Sequence, residues 1–217
     1  MKYLKILYRF FLVVLVIVCF SISCKDKYDY IDYVKLEKEE LALRDSFYSK
    51  TINKGESIPF ISLLGDTIFR SILSEVTYTD SVSNIDTLDM RKSIGFFMAK
   101  IFKSGRTDSI KVGQTIGFRY IFWYLDKDEN DDLICYPLFT NTYSFEPDYY
   151  SAGNYTTTSA TMCYGLDLGI RNMRFLDRSL MIIPSSIGAQ SLLSGYSARD
   201  RYKTIIAEIE ITYFPDN

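Results

Sequence analysis

"QTIGFRYIFWYLDKDENDDLICYPLFTNTYSF", residues 114–145, is the stretch that decides the fold. Two runs dense in Ile, Phe, Tyr, Trp and Leu flank the acidic "KDENDD". Aromatic and β-branched side chains suit a pleated, half-buried surface, and the charged hexapeptide suits a solvated turn, so the pair reads as consecutive antiparallel strands. Upstream, "SIGFFMAKIFKSG" (residues 93–105) has the same character. Downstream, a Tyr- and Ser-rich stretch (146–161) and a brief helical candidate (164–173) precede two more strand runs, "SLMIIP" and "TIIAEIEITYF", parted by a loop with Gly188 and Gly195. In the last run Ile205, Ala207, Ile209 and Ile211 alternate with Ile206, Glu208, Glu210 and Thr212. That period of two buries one face. Strands dominate and one short helix interrupts them.

Toward the N-terminus the pattern changes. Residues 32–50, "DYVKLEKEELALRDSFYSK", hold no Gly or Pro and are rich in Leu, Glu and Lys, which predicts a helix. Val34, Leu41 and Tyr48 fall seven apart, with Leu43 and Phe47 nearby, and are expected to form its packed stripe. Glu39, Glu40 and Arg44 read as charges on its solvated face, paired at i,i+4. Residues 58–91 mix short apolar pieces with Ser, Thr and Asp and read as irregular, with short helical or strand pieces.

The first residues carry Lys2, Lys5 and Arg9, then an apolar run from Phe10 to Phe20, then Ser21, Ile22, Ser23 and Cys24. A basic start, an apolar run too short to span a bilayer and small residues before a cysteine make a secretory signal, and "SISC" resembles a lipobox. Cys24 is therefore the expected lipidation site, palmitate included, with residues 1–23 removed. The mature chain then begins "CKDKYDY", a charged and aromatic tether. The expected location is the bacterial cell envelope, lipid-anchored at the outer membrane and facing the periplasm or the surface. In such a compartment Cys135 and Cys163 are open to a disulfide, or to life as two buried thiols.

Composition removes several chemistries. The chain has 0 His, so Ser-His-Asp and Cys-His catalysis and His-ligated zinc are out. A net charge of -2 argues against a nucleic-acid partner. No phosphate-cradling Gly-rich loop, CxxC pair or HExxH signature is present, so no cofactor or metal is expected. Asp126, Asp128, Asn130 and Asp132 alternate as in a calcium loop, but Asp131 and Pro137 stand where that loop wants Gly and Glu, and a solvated turn is the better reading. The 18 Tyr and 15 Phe are the compositional feature left to explain, and Tyr143, Phe145, Tyr149, Tyr150 and Tyr155 are able either to pack locally or to stack on a peptide or a sugar.

Five strings in order, "KVGQTIGFRY", "LFTNTY", "MCYGLDLGI", "IIPSSIGAQ" and "TIIAEIEI", resemble the FKBP family of peptidyl-prolyl isomerases, over residues 94–214. The resemblance implies an α+β fold, an FKBP-like antiparallel sheet wrapped on one short helix, here with an N-terminal helical extension. It divides the chain into a lipoprotein signal peptide (1–23), a tether with helical or irregular extension (24–92) and an FKBP-like domain (93–217). It also implies a proline groove lined by Tyr120, Phe139, Met162, Cys163 and Leu166. Rotation about an X-Pro bond faces about 20 kcal/mol and needs no acid, base or metal, only an apolar pocket that favours the twisted amide. Four positions depart from the family: its aspartate matches Thr140, its pocket-floor tryptophan Leu166, a tyrosine Ala189 and a late aromatic Ala207. Three lost rings imply weak or absent isomerase activity. The expectation is a lipoprotein whose degenerate groove binds a peptide or protein. The alternatives are an active isomerase serving envelope proteins and a glycan- or protein-binding surface on the Tyr-rich loop.

Overall fold

The computed structural model describes residues 31–72, 87–154, 162–193, 195–197 and 199–213. The described residues from 33 onward belong to one compact unit. The expected signal peptide, the start of the expected tether and Cys24 lie outside the described residues. Among the described residues no helix is long and apolar enough to cross a membrane.

Helix α1 (Tyr33–Phe47) runs into a π-helical turn (Tyr48–Asn53). Three short strands follow, β1 (Ile58–Ile61), β2 (Thr67–Arg70) and β3 (Thr87–Met90), then the single turn α2 (Arg91–Ile94). The long strands are β4 (Phe96–Phe102), β5 (Thr115–Lys127) and β6 (Leu133–Thr140), with the short β7 (Asp148–Ser151) after them. Helix α3 (Tyr164–Ile170), β8 (Arg178–Ile183), a 3-10 turn (Ser185–Ile187), α4 (Ala189–Leu192) and β9 (Ile205–Tyr213) complete the chain. The strands make one sheet in the order β2-β1-β6-β5-β9-β8-β4-β3, with β7 added on β5. Every pairing is antiparallel except β1 with β6, which meet in parallel at Phe60 and Cys135.

This is the expected α+β architecture, an antiparallel sheet packed on one short helix with a helical extension before it. Each string that carried the resemblance falls on the element it implied: strand β5, the end of β6, the start of α3, the end of β8 with its turn, and strand β9. The order of elements is the one the resemblance implied. Strands β1, β2 and β3, which precede residue 93, extend the same sheet at both edges.

The sheet has two buried faces. Facing α3 are Phe118, Tyr120 and Phe122 of β5, Ala207, Ile209 and Ile211 of β9, and Met181 of β8. Helix α3 lies close to β8 because Gly165 and Gly169 carry no side chain on that side; a Cβ at Gly165 would stand 2.5 Å from Ile183 Cγ2, and one at Gly169 would overlap Met181. Facing α1 are Trp123 and Leu125 of β5, Phe60 of β1, Phe97 and Ala99 of β4, Ile182 and Ile206, covered by Phe47 and Tyr48. The alternation of β9 is as expected, and Ile206 is buried as well because α1 covers its end of the second face.

The stripe expected on α1 packs through Leu43, Phe47 and Tyr48 but not through its first two members. Val34 and Leu41 are exposed, whereas Glu40 and Phe47 are buried, with Leu43 and Arg44 half-buried between them. Glu40 is buried because the fold brings donors to it. The Ser185 amide donates to its Oε1 at 2.7 Å, the Thr204 hydroxyl at 2.9 Å, and the Ser185 hydroxyl to its other oxygen. Arg44 adds the i,i+4 ion pair at 3.8 Å. The carboxylate thus replaces water by four protein partners, which is what burial of a charge requires.

Candidate functional site

Strand β5 carries the site, because its thirteen residues pair with β6 at one end, β7 at the other and β9 along the opposite edge. β6 pairs residues 121–127 and β7 residues 115–118, so the edge of β5 at Arg119 and Tyr120 has no strand beside it. Asn141, buried, fills that gap. Its Oδ1 accepts from the Tyr120 amide at 2.7 Å and its Nδ2 donates to the Phe118 carbonyl at 3.1 Å, as a neighbouring strand would. The Asn141 amide and the Thr140 hydroxyl both donate to the Tyr120 carbonyl.

The five groove candidates come together. Tyr120, Met162, Cys163 and Leu166 belong to one buried cluster, with Phe139 packed against it. The Tyr120 ring stacks on Phe122 at 4.7 Å between centroids and meets Phe139 edge-on at 6.0 Å. What they form is packed side chain: Tyr120 is 7% exposed, Met162 3%, Cys163 2% and Leu166 0%. Ala207 pairs directly with Phe122, and both are fully buried. A large ring thus stands beside the small residue on the same face, and the space opened by Ala207 is taken up from the next strand. Of the other departures, Thr140 bonds to backbone as described, and the side chain of Ala189 lies outside the described residues.

Sequence reasoning missed two carboxylates here. Asp148, at the start of β7, accepts the Tyr120 hydroxyl, so an acid is present beside this phenol although Thr140 supplies none. Burial first, and this hydrogen bond second, hold the Tyr120 phenol well above the usual tyrosine range. Asp167, on α3 and 1% exposed, accepts the Tyr150 hydroxyl at 2.7 Å and the Gly153 amide at 2.6 Å on one oxygen, and Arg171 Nε at 2.8 Å on the other. Burial and then Asp167 raise Tyr150 in the same way. Neither acid has a sequence signature, since each meets its tyrosine only through the β5–β7 register or the docking of α3.

Of the two states left open for Cys135 and Cys163, the structure has the pair of buried thiols. Cys135 and Cys163 are both free and buried, Cys135 in the cluster facing α1 and Cys163 in the cluster facing α3, with the sheet between them. Burial pushes the Cys163 thiol up to about 11 and Cys135 well above the ordinary range, so both are held as inert thiols.

The acidic turn is a turn. The Asp128 carboxylate accepts the amides of Asn130 and Asp132, each at 2.9 Å; Lys127 pairs with Asp131 at 2.6 Å and Lys203 with Asp126. Among the described residues no acidic cluster able to hold a metal is found. The Tyr-rich loop is held by Arg119, whose guanidinium donates to the carbonyls of Asn141, Thr142, Ser144 and Phe145 at 2.8–3.3 Å. It presents Tyr143, Phe145 and Tyr149 to solvent, whereas Tyr150 is turned to Asp167; Tyr155 lies outside the described residues.

A second concavity lies on the face that carries α1. Phe60, Ile68, Arg70, Ile121, Trp123 and Tyr143 line a groove of about 210 Å³ between the β1–β2 hairpin and the Tyr-rich loop. Arg70 lies over the Phe60 and Trp123 rings and is paired with Glu208 at 2.7 Å.

No protein-family model matches the chain, and no curated protein does. Among solved structures, the N-terminal domain of FKBP42 from Arabidopsis thaliana is similar at a TM-score of 0.42 and 14% identity, covering 64% of this chain and 98% of that one. The structure of the three FKBP domains of wheat FKBP73 is similar at 0.42 and 15% identity, covering 61% of this chain and 50% of that one.

Proposed function

We propose that this protein is a lipid-anchored envelope protein whose FKBP-like domain serves as a binding module, with isomerase activity weak or absent. The observation that carries the reading is the filled face of the sheet: Leu166, Phe122 and Ala207 are each 0% exposed where a prolyl ring would have to enter. An isomerase accelerates rotation by gripping the twisted amide better than the planar one, and a site closed by its own side chains has no grip to offer. The half-buried Phe139 leaves only the margin of that face open to a peptide.

Active isomerisation is the second reading, and one observation favours it: Asp148 keeps a carboxylate on the Tyr120 hydroxyl. The test is the isomerisation rate of a model X-Pro peptide, followed by NMR exchange with the full chain. The expected result is the uncatalysed rate. A robust rate that falls with Tyr120→Phe or Asp148→Asn would establish the enzyme instead. The anchor is tested by Cys24→Ser, which is expected to release the protein from membranes; unchanged retention with an intact signal would overturn lipidation.

A further inference from the structure

We propose that the β1–β2 hairpin is a membrane contact: its tip enters the surface of the bilayer that holds the lipid at Cys24, and so fixes how the domain stands on that bilayer. The turn between the strands runs from Ser62 to Gly65, whose amide donates to the Ser62 carbonyl at 3.0 Å, so its central residues are Leu63 and Leu64. Such positions ordinarily hold Pro, Asn, Asp, Ser or Gly, which preset the turn or meet water. Here they hold leucines that are 45% and 83% exposed. Behind them Ile68 and Phe69 are 52% and 69% exposed, and as neighbours in β2 they lie on opposite faces of the hairpin. Tyr143, an exposed amphipathic ring, lines the groove beside Leu63 and Ile68. The tip is therefore apolar at its end and on both faces.

A protein docked on the hairpin covers one face and leaves the other in water, whereas a bilayer closes round the whole tip. The backbone of the turn suits such entry. The Ser62 amide donates to the Asp66 carbonyl at 2.8 Å, and the amides of Leu64 and Asp66 donate to Ser62 Oγ at 3.2 and 3.1 Å. With the Gly65 amide already bonded, these donors hold no water that entry would strip away. Between Ile58 and Phe69 the one ionisable side chain is that of Asp66. It sets the depth: the carboxylate stays among the headgroups while the leucines reach the acyl boundary, an interfacial depth of about 5–10 Å. The tether supplies proximity, since Cys24 precedes the start of α1 at Tyr33 by about nine residues, a reach of at most about 30 Å. A few apolar side chains give only weak, reversible membrane binding by themselves, so the tip orients a domain that the lipid retains.

The contact rests on the lipid anchor proposed for Cys24, and its test is read apart from that anchor. The full chain carrying Leu64→Cys, Ile68→Cys or Phe69→Cys is labelled with an environment-sensitive fluorophore. It is reconstituted into vesicles of phosphatidylethanolamine and phosphatidylglycerol, with or without doxyl groups on the acyl chains. Glu129→Cys, on the exposed turn after β5, is the control, and the unsubstituted chain, with Cys135 and Cys163 buried, is the labelling blank. Blue-shifted emission, and quenching by doxyl lipid at least about twofold above the control, are expected at all three positions. Emission like the control at Leu64→Cys, a blue shift without quenching, or a shift confined to one of Ile68→Cys and Phe69→Cys would overturn the proposal. The last two patterns would mark a protein on the hairpin instead of lipid. A failed anchor shows differently, as a natural chain found in the soluble fraction; the labelled chains are then mixed with the same vesicles, and the same outcomes decide.

Discussion

On the face covered by α3, strand β5 turns Phe118, Tyr120 and Phe122 toward a helix that is itself apolar, and the interior is completed by side chains alone. On the face covered by α1, the same strand turns Ile121, Trp123 and Leu125 toward a helix whose most buried residues are a carboxylate, Glu40, and a ring, Phe47. The first face closes by volume: Gly165 and Gly169 admit β8, and Phe122 fills in beside Ala207. The second adds polar ties to its packed cluster, Glu40 to Ser185 and Thr204, and Tyr48 to the Gly95 carbonyl at 2.6 Å, and it leaves a groove beyond the reach of α1. A face closed by volume has no room for a ligand without giving up its own core. A face closed by a few ties keeps open surface beside them.

The largest expected effect tests whether the α3 face is filled. Phe122→Ala should cost about 4 kcal/mol in urea unfolding, and Leu166→Ala about 3 kcal/mol, because each removes a fully buried side chain from packed surroundings. A loss under about 1 kcal/mol at Leu166 would mean that this face is a pocket, and would exchange the roles of the two faces.

Next comes the tie on the other face. Glu40→Leu leaves the Ser185 amide, two hydroxyls and Arg44 buried without their acceptor, and should cost about 3 kcal/mol. Arg44 is already strained for partners, since its Nε is buried with none and its guanidinium occupies the space a Cβ at Gly95 would take. Gly95, at φ 73°, is held to glycine twice over, by its backbone angle and by this neighbour. If Glu40→Leu is neutral, α1 docks by Phe47 alone, and the contrast between volume and ties dissolves.

How much of this was legible follows from the same contrast. The α3 face was readable because its rule is a period of two: β9 alternates cleanly, and five groove positions inferred from short strings did converge. The α1 face was not, because the packed stripe of α1 runs through Glu40, a residue that sequence reading assigns to water unless the fold supplies Ser185, 145 positions away, and Thr204. β1, β2 and β3 were hidden for another reason: four residues each, set among Ser, Thr and Asp, they have no periodicity to show and gain their pairing from the sheet they join. Asn141 stands in for a strand only because β6 and β7 leave a gap on β5, a fact of register and not of composition.

A smaller effect should appear at alkaline pH on both faces. Burial is the first cause holding the phenols of Tyr48, Tyr120 and Tyr150 above the ordinary value near 10.0. A group whose folded pKa is raised stabilises the fold fully below its unfolded pKa and loses that contribution as pH rises toward the folded one. Stability should therefore be level up to about pH 10 and fall above it, with these tyrosines ionising only as the chain unfolds. Tyrosinate absorbance followed against circular dichroism checks this; full titration of all tyrosines in a still-folded protein would show that the rings are not enclosed.

The smallest expected effect lies at the margin between the two faces, on the Tyr-rich loop. Phe145 is fully exposed and Tyr143 nearly so, while the backbone that carries them is fixed by Arg119 across four carbonyls and by Asn141 against β5. If the loop is shaped by those hydrogen bonds, its rings contribute nothing to its conformation, and Phe145→Ser should change stability by less than about 0.5 kcal/mol. Arg119→Ala, which releases several carbonyls at once, should cost more, about 1 kcal/mol, because the freed groups are exposed enough to find water. The order of the two variants in urea unfolding is the decisive reading. A Phe145 variant that loses more than the Arg119 variant would show the ring packed in solution, and the rim of the groove would then be core that the α1 face had failed to cover, not surface held out for a partner.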